Sequence, residues 1–272
     1  MSDEIVITRG NQPKQPEVST FPTEIVDLPS GGKFYSSENP LSKGSVEMKY
    51  MTAKEEDILT NQNLLKKGLA VDKLLESLIV DKSINLDTLL SGDKNALIFA
   101  ARRLAYGDSY GPFDITCNGC SSNNKVTIDL GKLNFRELNE SVDLNEYGEY
   151  SFLLPVSKNT ITFKMLTSGD EKDIEKEISS LSKIKKGDSS GEMTARMRKM
   201  IKSVNGNRSP EVINKFVENE FLSRDSFPFR QFLKNITPDL DTVTSYVCES
   251  CGNEERVAVP ITAQFFWPDT AV

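Results

Sequence analysis

The sequence predicts an α+β fold, in which helical regions and short β-hairpins are organised around a four-cysteine ribbon. Three observations lead to this prediction. All four cysteines fall in two CxxC pairs, each pair lies between two β-prone runs, and segments with helical apolar spacing occupy much of the remaining chain. The pairs are Cys117 with Cys120 and Cys248 with Cys251. Because more than a hundred residues separate them, we expect the two knuckles of the ribbon to be separated by a long, mainly helical insertion.

The first predicted segment, residues 1–22, is an extended arm. It is mostly polar and contains three prolines, so it is either a disordered tail or an arm that orders on a neighbouring subunit. Residues 23–130 follow as an α+β part that ends with the first knuckle. Here "TEIVDLPSGGKFY" indicates a strand, a turn and a second strand, and "GSVEMKYMT" indicates another strand.

Two helices are the clearest elements of this N-terminal part. Thr52 and Glu55 form a capping box, which predicts that a helix begins there. Apolar residues recur at helical spacing in "AVDKLLESLIV" and in "SGDKNALIFAARRLAYG", the second helix beginning with Ser91 or Asp93 as its cap and ending at a glycine. Arg102 and Arg103 in that helix are predicted to lie on a solvated face or to form an intramolecular pair.

Residues 131–240 form the predicted insertion, which is mainly helical and contains one β-hairpin. The hairpin is "GEYSFLLPVSKNTITFKML", and helices are expected after Ser168, through "EMTARMRKMIKSVNG", after Ser209 and after Asp225 or Ser226. Residues 241–272 contain the second knuckle and an aromatic C-terminal tail. The ribbon itself is shared by residues 113–130 and 244–262.

The four cysteines predict one structural Zn²⁺ per chain. A tetrahedral site of four thiolates is a common structural zinc centre, and it leaves no open position for water or a substrate. A rubredoxin-like iron site would use the same ligands. A catalytic dithiol and four free thiols are further alternatives, although neither pair opens a helix as redox CxxC motifs do.

Composition restricts the function further. The chain of 272 residues contains no histidine, which removes the usual general base and histidine-dependent nucleophiles, so we expect neither an enzyme nor a small-molecule substrate. A net charge of −7 and acidic residues beside the second knuckle disfavour nucleic-acid binding. The sequence has neither a secretory signal nor an apolar run long enough to span a membrane, so synthesis in the cytoplasm is expected.

The C-terminal tail contains Phe265, Phe266 and Trp267 in succession. Three consecutive aromatic side chains cannot all face one core from a single strand. We therefore predict that these residues include a partner-binding surface. The alternative is that the tail packs back on the ribbon of its own chain.

Several of these motifs together resemble the baseplate hub proteins of T-even-like contractile-tailed bacteriophages. They are "LPSGGKFY", "VEMKYMTAKEEDILT", "LLESLI", the two knuckles, "TPDLD" and the closing "PITAQFFWP", and they extend from about residue 22 to residue 268. The resemblance implies a role in forming the phage tail baseplate. The resemblance implies no catalytic residues.

The resemblance also implies partners and a location. The expected protein is a structural subunit of the baseplate hub region, in a hetero-oligomeric assembly with other baseplate and hub proteins of the virion tail. One alternative is a chaperone-like assembly factor that leaves the finished particle. A weaker alternative is a nucleic-acid-binding zinc ribbon.

Overall fold

The structure is a computed structural model that describes residues 21–136, 144–184, 191–259 and 265–266. Most of the predicted arm and Trp267 lie outside the described residues. The described chain mixes helices with small antiparallel sheets, as predicted, and has two large hydrophobic cores together with a smaller cluster at the cysteines. None of its helices is long and apolar enough to cross a bilayer.

The first core begins with a two-stranded antiparallel sheet, in which β1 (Thr23–Asp27) pairs with β2 (Ser45–Lys49). The strand predicted immediately after the Pro-Ser-Gly-Gly turn is wrong: the intervening residues form turns and a 3-10 helix at Pro40–Lys43. The reason is a long-range contact. The buried carboxylate of Asp93 accepts hydrogen bonds from Ser30 N (2.9 Å) and from the Tyr35 hydroxyl (2.5 Å), which fixes this segment as a turn.

Four helices follow: α1 (Ala53–Thr60), α2 (Gln62–Lys66), α3 (Ala70–Leu78) and α4 (Ser91–Tyr106), of which α1, α3 and α4 contribute buried residues to the first core. A 3-10 turn at Leu86–Thr88 lies between the last two. The predicted capping box at Thr52 and Glu55 is confirmed. Helix α4 ends before Gly107 as predicted, but its N-cap is Leu90, because Asp93 is held by the turn rather than by its own helix.

Two hairpins contain the cysteine pairs at their turns. Strand β3 (Ser109–Thr116) pairs with β4 (Asn123–Asp129), and β8 (Val243–Val247) pairs with β9 (Glu254–Ala258), both antiparallel. The predicted arrangement of strand, CxxC turn and strand therefore occurs twice.

The second core lies between these hairpins in sequence. Strands β5 (Tyr150–Leu153), β6 (Thr160–Phe163) and β7 (Ile201–Val204) form an antiparallel sheet in that order. The helices of this region are α5 (Ser168–Ile184), α6 (Glu192–Met200), α7 (Pro210–Lys215) and α8 (Ser223–Ile236), with a π-helical turn at Phe216–Glu220.

Two details of the helices in this region differ from the predictions. The helix expected to run to Gly206 ends at Met200, because Ile201 and the residues after it pair with β6. The N-cap of α8 is Leu222 and not Asp225 or Ser226. Asp225 is instead buried and accepts hydrogen bonds from Val156 N (2.6 Å) and Ser157 N (3.0 Å), which fixes α8 to the turn of the β5–β6 hairpin.

Residues from the C-terminal part return to the first core. Leu240, Val259, Phe265 and Phe266 all belong to its buried cluster. Arg102 is also buried, with its guanidinium 4.8 Å from the centre of the Tyr106 ring, so the solvated face predicted for it is wrong. Arg103 does form an intramolecular pair, with Asp108 at 2.6 Å.

Candidate metal centre

Each CxxC pair lies in a turn with the same backbone hydrogen bonds. In the first knuckle Ser121 N donates to Cys117 O (2.8 Å) and Cys117 N donates to Ser122 O (2.9 Å). In the second, Gly252 N donates to Cys248 O (2.9 Å) and Cys248 N donates to the carbonyl of residue 253 (2.9 Å). The two knuckles are therefore equivalent in their local structure.

The residue after the second cysteine of each pair has a left-handed backbone conformation. Gly252 has φ of 72°, which glycine adopts without steric cost, and Ser121 occupies the same position in the first knuckle with φ of 59°. This conformation turns the chain back so that both cysteine side chains of a pair point to the same side. It explains why a glycine follows the second CxxC pair in the sequence.

The fold brings all four sulfurs together. Their atoms lie within 4.8 Å of one another, and Cys117 with Cys251 and Cys120 with Cys248 are each separated by 3.7 Å. All four are free cysteines. A tetrahedral zinc with Zn–S bonds of about 2.3 Å would separate its sulfurs by ~3.8 Å. The donor set and the spacing thus fit a tetrahedral metal held by four thiolates.

Burial differs between the two cysteines of each pair. Cys117 and Cys248, the first of each pair, are buried, and Cys120 and Cys251 are exposed. The buried sulfurs pack in a small cluster with Tyr246. A metal bound here would have its inner side covered by protein and its outer side covered by the exposed thiolates.

Side chains outside the CxxC pairs connect the two knuckles. The Glu255 carboxylate in β9 accepts hydrogen bonds from Asn118 N (2.7 Å) and from the Asn118 side-chain amide (3.0 Å) at the tip of the first knuckle. In return, the Asn124 side chain in β4 accepts a hydrogen bond from Glu249 N (3.1 Å) at the tip of the second. These reciprocal bonds hold the hairpins in register independently of any metal.

The sequence predicts neither residue as part of the site. Glu255 belongs to the acidic residues beside the second knuckle that disfavour phosphate binding, and no motif marks Asn124. One signal could have found Glu255: a carboxylate two residues after a knuckle can reach backbone N–H groups of the facing knuckle. Burial alone would raise the pKa of Glu255, but the bonds from the Asn118 backbone, Cys117 and Asn253 outweigh it and lower that pKa.

The electrostatics of the sulfurs reflect their close packing. Hydrogen bonds to the Cys248 sulfur, first from the Ser122 hydroxyl at 3.3 Å and then from the backbone N–H groups of Cys251 and Ser250, outweigh burial and lower the pKa of Cys248 to about 5. The backbone N–H of Asn253 lowers the pKa of Cys251, but the neighbouring sulfurs, Cys120 first, and burial outweigh it and raise that pKa to about 12. Four thiolates this close together would repel one another, and a cation bound between them would remove that repulsion.

The structure places two of the three predicted aromatic residues in the core of their own chain. Phe265 is fully buried, with its ring 4.9 Å from Phe99 and 5.2 Å from Tyr110, and Phe266 is 5% exposed. These two rings pack on the first core rather than on the ribbon, and we do not propose them as docking residues. Trp267 lies outside the described residues.

A comparison with models of protein families identifies the family of this chain. The model of a family described as T4 bacteriophage base plate protein matches residues 21–267. The chain belongs to this family. Searches of curated proteins and of solved structures returned no match. The matched range of this base plate protein includes both CxxC pairs, so the candidate metal centre lies inside the family region.

Proposed function

We propose that this base plate protein is a structural, non-enzymatic subunit of the baseplate hub region of a T4-like phage tail. The observation that carries the proposal is the family match over residues 21–267. The protein would act through contacts with other baseplate and hub proteins, in a hetero-oligomeric assembly that remains in the virion.

The second part of the proposal is that the four-cysteine cluster binds one zinc ion per chain through Cys117, Cys120, Cys248 and Cys251. The sulfur spacing of 3.7 Å supports a tetrahedral site. With four protein ligands the ion has no position for a substrate, so it would cross-link the two hairpins. Zinc is proposed over iron because it is the usual metal of structural four-cysteine sites.

Buried charged groups of the described chain support a structural role. The Asp72 carboxylate contacts the ammonium groups of both Lys94 and Lys172 at 2.6 Å, and it thereby connects α3, α4 and α5. Burial alone would raise the pKa of Asp72, but hydrogen bonds and charge interactions with Lys172 and Lys94 outweigh it and lower that pKa. A carboxylate held in this way by two cations stabilises the packing of helices rather than accepting protons from a substrate.

An exposed apolar surface supports action through protein contacts. At the end of the second core, the backbone N–H groups of Val156 and Ser157 donate to the Asp225 carboxylate and bring the beginning of α8 close to the β5–β6 hairpin. Leu153 in this hairpin is 60% exposed, Val156 is 42% exposed, and Leu222 at the start of α8 is 46% exposed. Clustered apolar side chains at a surface are typical of protein–protein interfaces.

The location of the protein in the phage tests this proposal. Quantitative mass spectrometry of purified virions should find it in a fixed, stoichiometric ratio to the other baseplate proteins, and isolated baseplates should contain it while isolated heads should not. Presence in infected-cell extracts combined with absence from virions would contradict a structural subunit. That result would favour an assembly factor that leaves the hub.

A further inference from the structure

Strand β1 has an unpaired edge. Tyr50 N donates to Pro22 O (3.2 Å) and Leu28 N donates to Gly44 O (2.8 Å), so the even-numbered residues of β1 direct their backbone groups toward β2. The alternation of an antiparallel ladder then directs the N–H and C=O groups of Thr23, Ile25 and Asp27 away from β2. Within the described chain these groups bond to no further strand. Such an edge accepts another strand readily.

A groove lies beside this edge. It has a volume of about 560 Å³, and it is lined by four residues of β1 and by Tyr50, which follows β2, but by no residue of β2 itself. The opposite wall comes from α4 and from the segments around residues 133 and 240. Apolar residues of this wall are Phe99, Leu104, Leu133, Phe135 and Leu240. Ile25 is 70% exposed and Phe135 is 43% exposed, so considerable apolar surface borders the groove.

The sequence that precedes β1 contains a segment suited to this edge. Residues 5–9 read Ile-Val-Ile-Thr-Arg, with four successive β-branched residues. The described chain begins at residue 21, immediately before β1, and residues 10–22 include three prolines and a glycine, as a loop would. We propose that residues 5–9 of the N-terminal arm add antiparallel to β1 of the same chain as a third strand and cover the groove.

One register of the added strand places its isoleucines over apolar surface and its arginine opposite a carboxylate. With Ile7 opposite Val26, Ile5 lies opposite Leu28, and both isoleucines share the sheet face on which Val26 packs against the first core. The same register puts Arg9 opposite Glu24, an exposed carboxylate on the wall of the groove. Thr8 then exchanges both backbone hydrogen bonds with Ile25, whose N–H and C=O face that side.

Tethering favours the chain's own arm over the arm of a second copy. The loop between the two strands is short enough to give an effective concentration of about the millimolar range, above that of free protein under ordinary conditions. The gain in stability is also local, because a two-stranded sheet is marginal and a third strand with an apolar face stabilises it.

Amide hydrogen exchange of the full-length protein tests the proposal. Peptides covering residues 4–10 and 23–28 should both be protected from exchange. In the double variant Ile5→Asp/Ile7→Asp both peptides should lose protection together, because the charged side chains would face the apolar groove. Val18→Asp is the matched control: it makes the same change in the same arm outside the proposed strand, and protection should persist.

Two results would overturn the proposal. The first is exchange of residues 4–10 at the rate of an unstructured peptide in the full-length protein. The second is protection that disappears on dilution, because it would mean that a second copy supplies the strand. Unchanged exchange in β8 and β9 of the double variant shows that the rest of the fold is intact, so a loss at β1 cannot be attributed to global unfolding.

Discussion

The sulfur atoms of Cys117 and Cys251 are 3.7 Å apart although 134 positions separate these residues in the sequence. Each belongs to a different hairpin, and the whole second core lies between them along the chain. A metal bound by both would therefore close a very long loop. Because closing a loop restricts the unfolded chain, such a cross-link stabilises the native state most when the loop is long.

The first prediction concerns the shared site. Cys117→Ser and Cys248→Ser should each abolish binding of the single metal ion, and each should lower the free energy of unfolding by more than about 3 kcal/mol, because both hairpins supply ligands to one ion. Elemental analysis gives the metal content and its identity, and urea denaturation gives the stability. Cobalt substitution should produce the absorption of a tetrahedral thiolate site.

Ser250→Ala is the control for this experiment, because Ser250 lies in the exposed tip of the second knuckle and is not a ligand. It should retain the metal and the stability of the parent. If either Cys117→Ser or Cys248→Ser left the metal content and the stability unchanged, a shared site would be disproved. So would native protein that contains no metal and has four titratable thiols.

The second prediction concerns Phe265. Phe265→Ala should lower the free energy of unfolding by about 3–5 kcal/mol, because it removes a fully buried ring that packs against Phe99 and Tyr110. Thermal or urea denaturation measures the loss. Phe227→Ala is the matched control, because that ring is 56% exposed and should change stability by less than about 1 kcal/mol. Equal effects of the two substitutions would mean that Phe265 is not packed in its own core.

Local sequence signals were sufficient for the cysteine hairpins and for several helices. CxxC between β-prone runs predicted both knuckles, and the Thr52–Glu55 pair predicted the beginning of α1. These features depend on residues that are close together in sequence. Backbone geometry and capping therefore determine them with little influence from the rest of the fold.

Features that depend on distant residues were not predictable in the same way. Residues 201–204 continue a helical pattern, but pairing of Ile201 with Phe163 turns them into a strand. The bond from Asn118 to Glu255 joins positions 137 residues apart, so it forms only because the two knuckles face each other in the fold.

The third prediction concerns Gly92 in the first turn of α4. A Cβ atom at this position would clash with the carbonyl oxygen of Pro238 and would lie 2.8 Å from Cα of Asp239. Gly92→Ala should therefore lower the free energy of unfolding by about 1–3 kcal/mol, although alanine is the better helix former, because the segment that leads to the second hairpin must move. Urea denaturation measures this effect.

Gly119→Ala provides the comparison for Gly92. Its Cβ would meet the side chain of Asn253 at 3.2 Å, and a side chain can move where a backbone cannot. Gly119→Ala should therefore lower the free energy of unfolding by less than Gly92→Ala does. A stabilising effect of Gly92→Ala would mean that α4 does not contact the 238–239 segment this closely.

The fourth prediction concerns the pH dependence of stability at Glu55. This side chain is fully buried, and burial alone would raise its pKa. Hydrogen bonds from Lys49 (2.8 Å), Thr52 and Ser77 (2.7 Å) outweigh burial and lower the pKa of Glu55 from 4.5 to about 2. The folded protein thus prefers the ionised carboxylate more strongly than the unfolded chain does.

Glu55 should therefore contribute its full stabilisation above pH 4.5 and lose it as the pH falls from 4.5 toward about 2. Glu55→Gln should lower the free energy of unfolding by about 2 kcal/mol at pH 7. This is less than the full pKa shift would give, because Lys49 is partly exposed and solvent screens the ion pair. The difference between parent and variant should shrink through this acidic range, as urea denaturation at several pH values will measure. Asp57→Asn, on the exposed face of the same helix, is the control and should change the free energy of unfolding at pH 7 by less than about 0.5 kcal/mol. A parent–variant difference that stays constant from pH 7 to pH 3 would mean that the Glu55 carboxylate is not selectively stabilised in the fold.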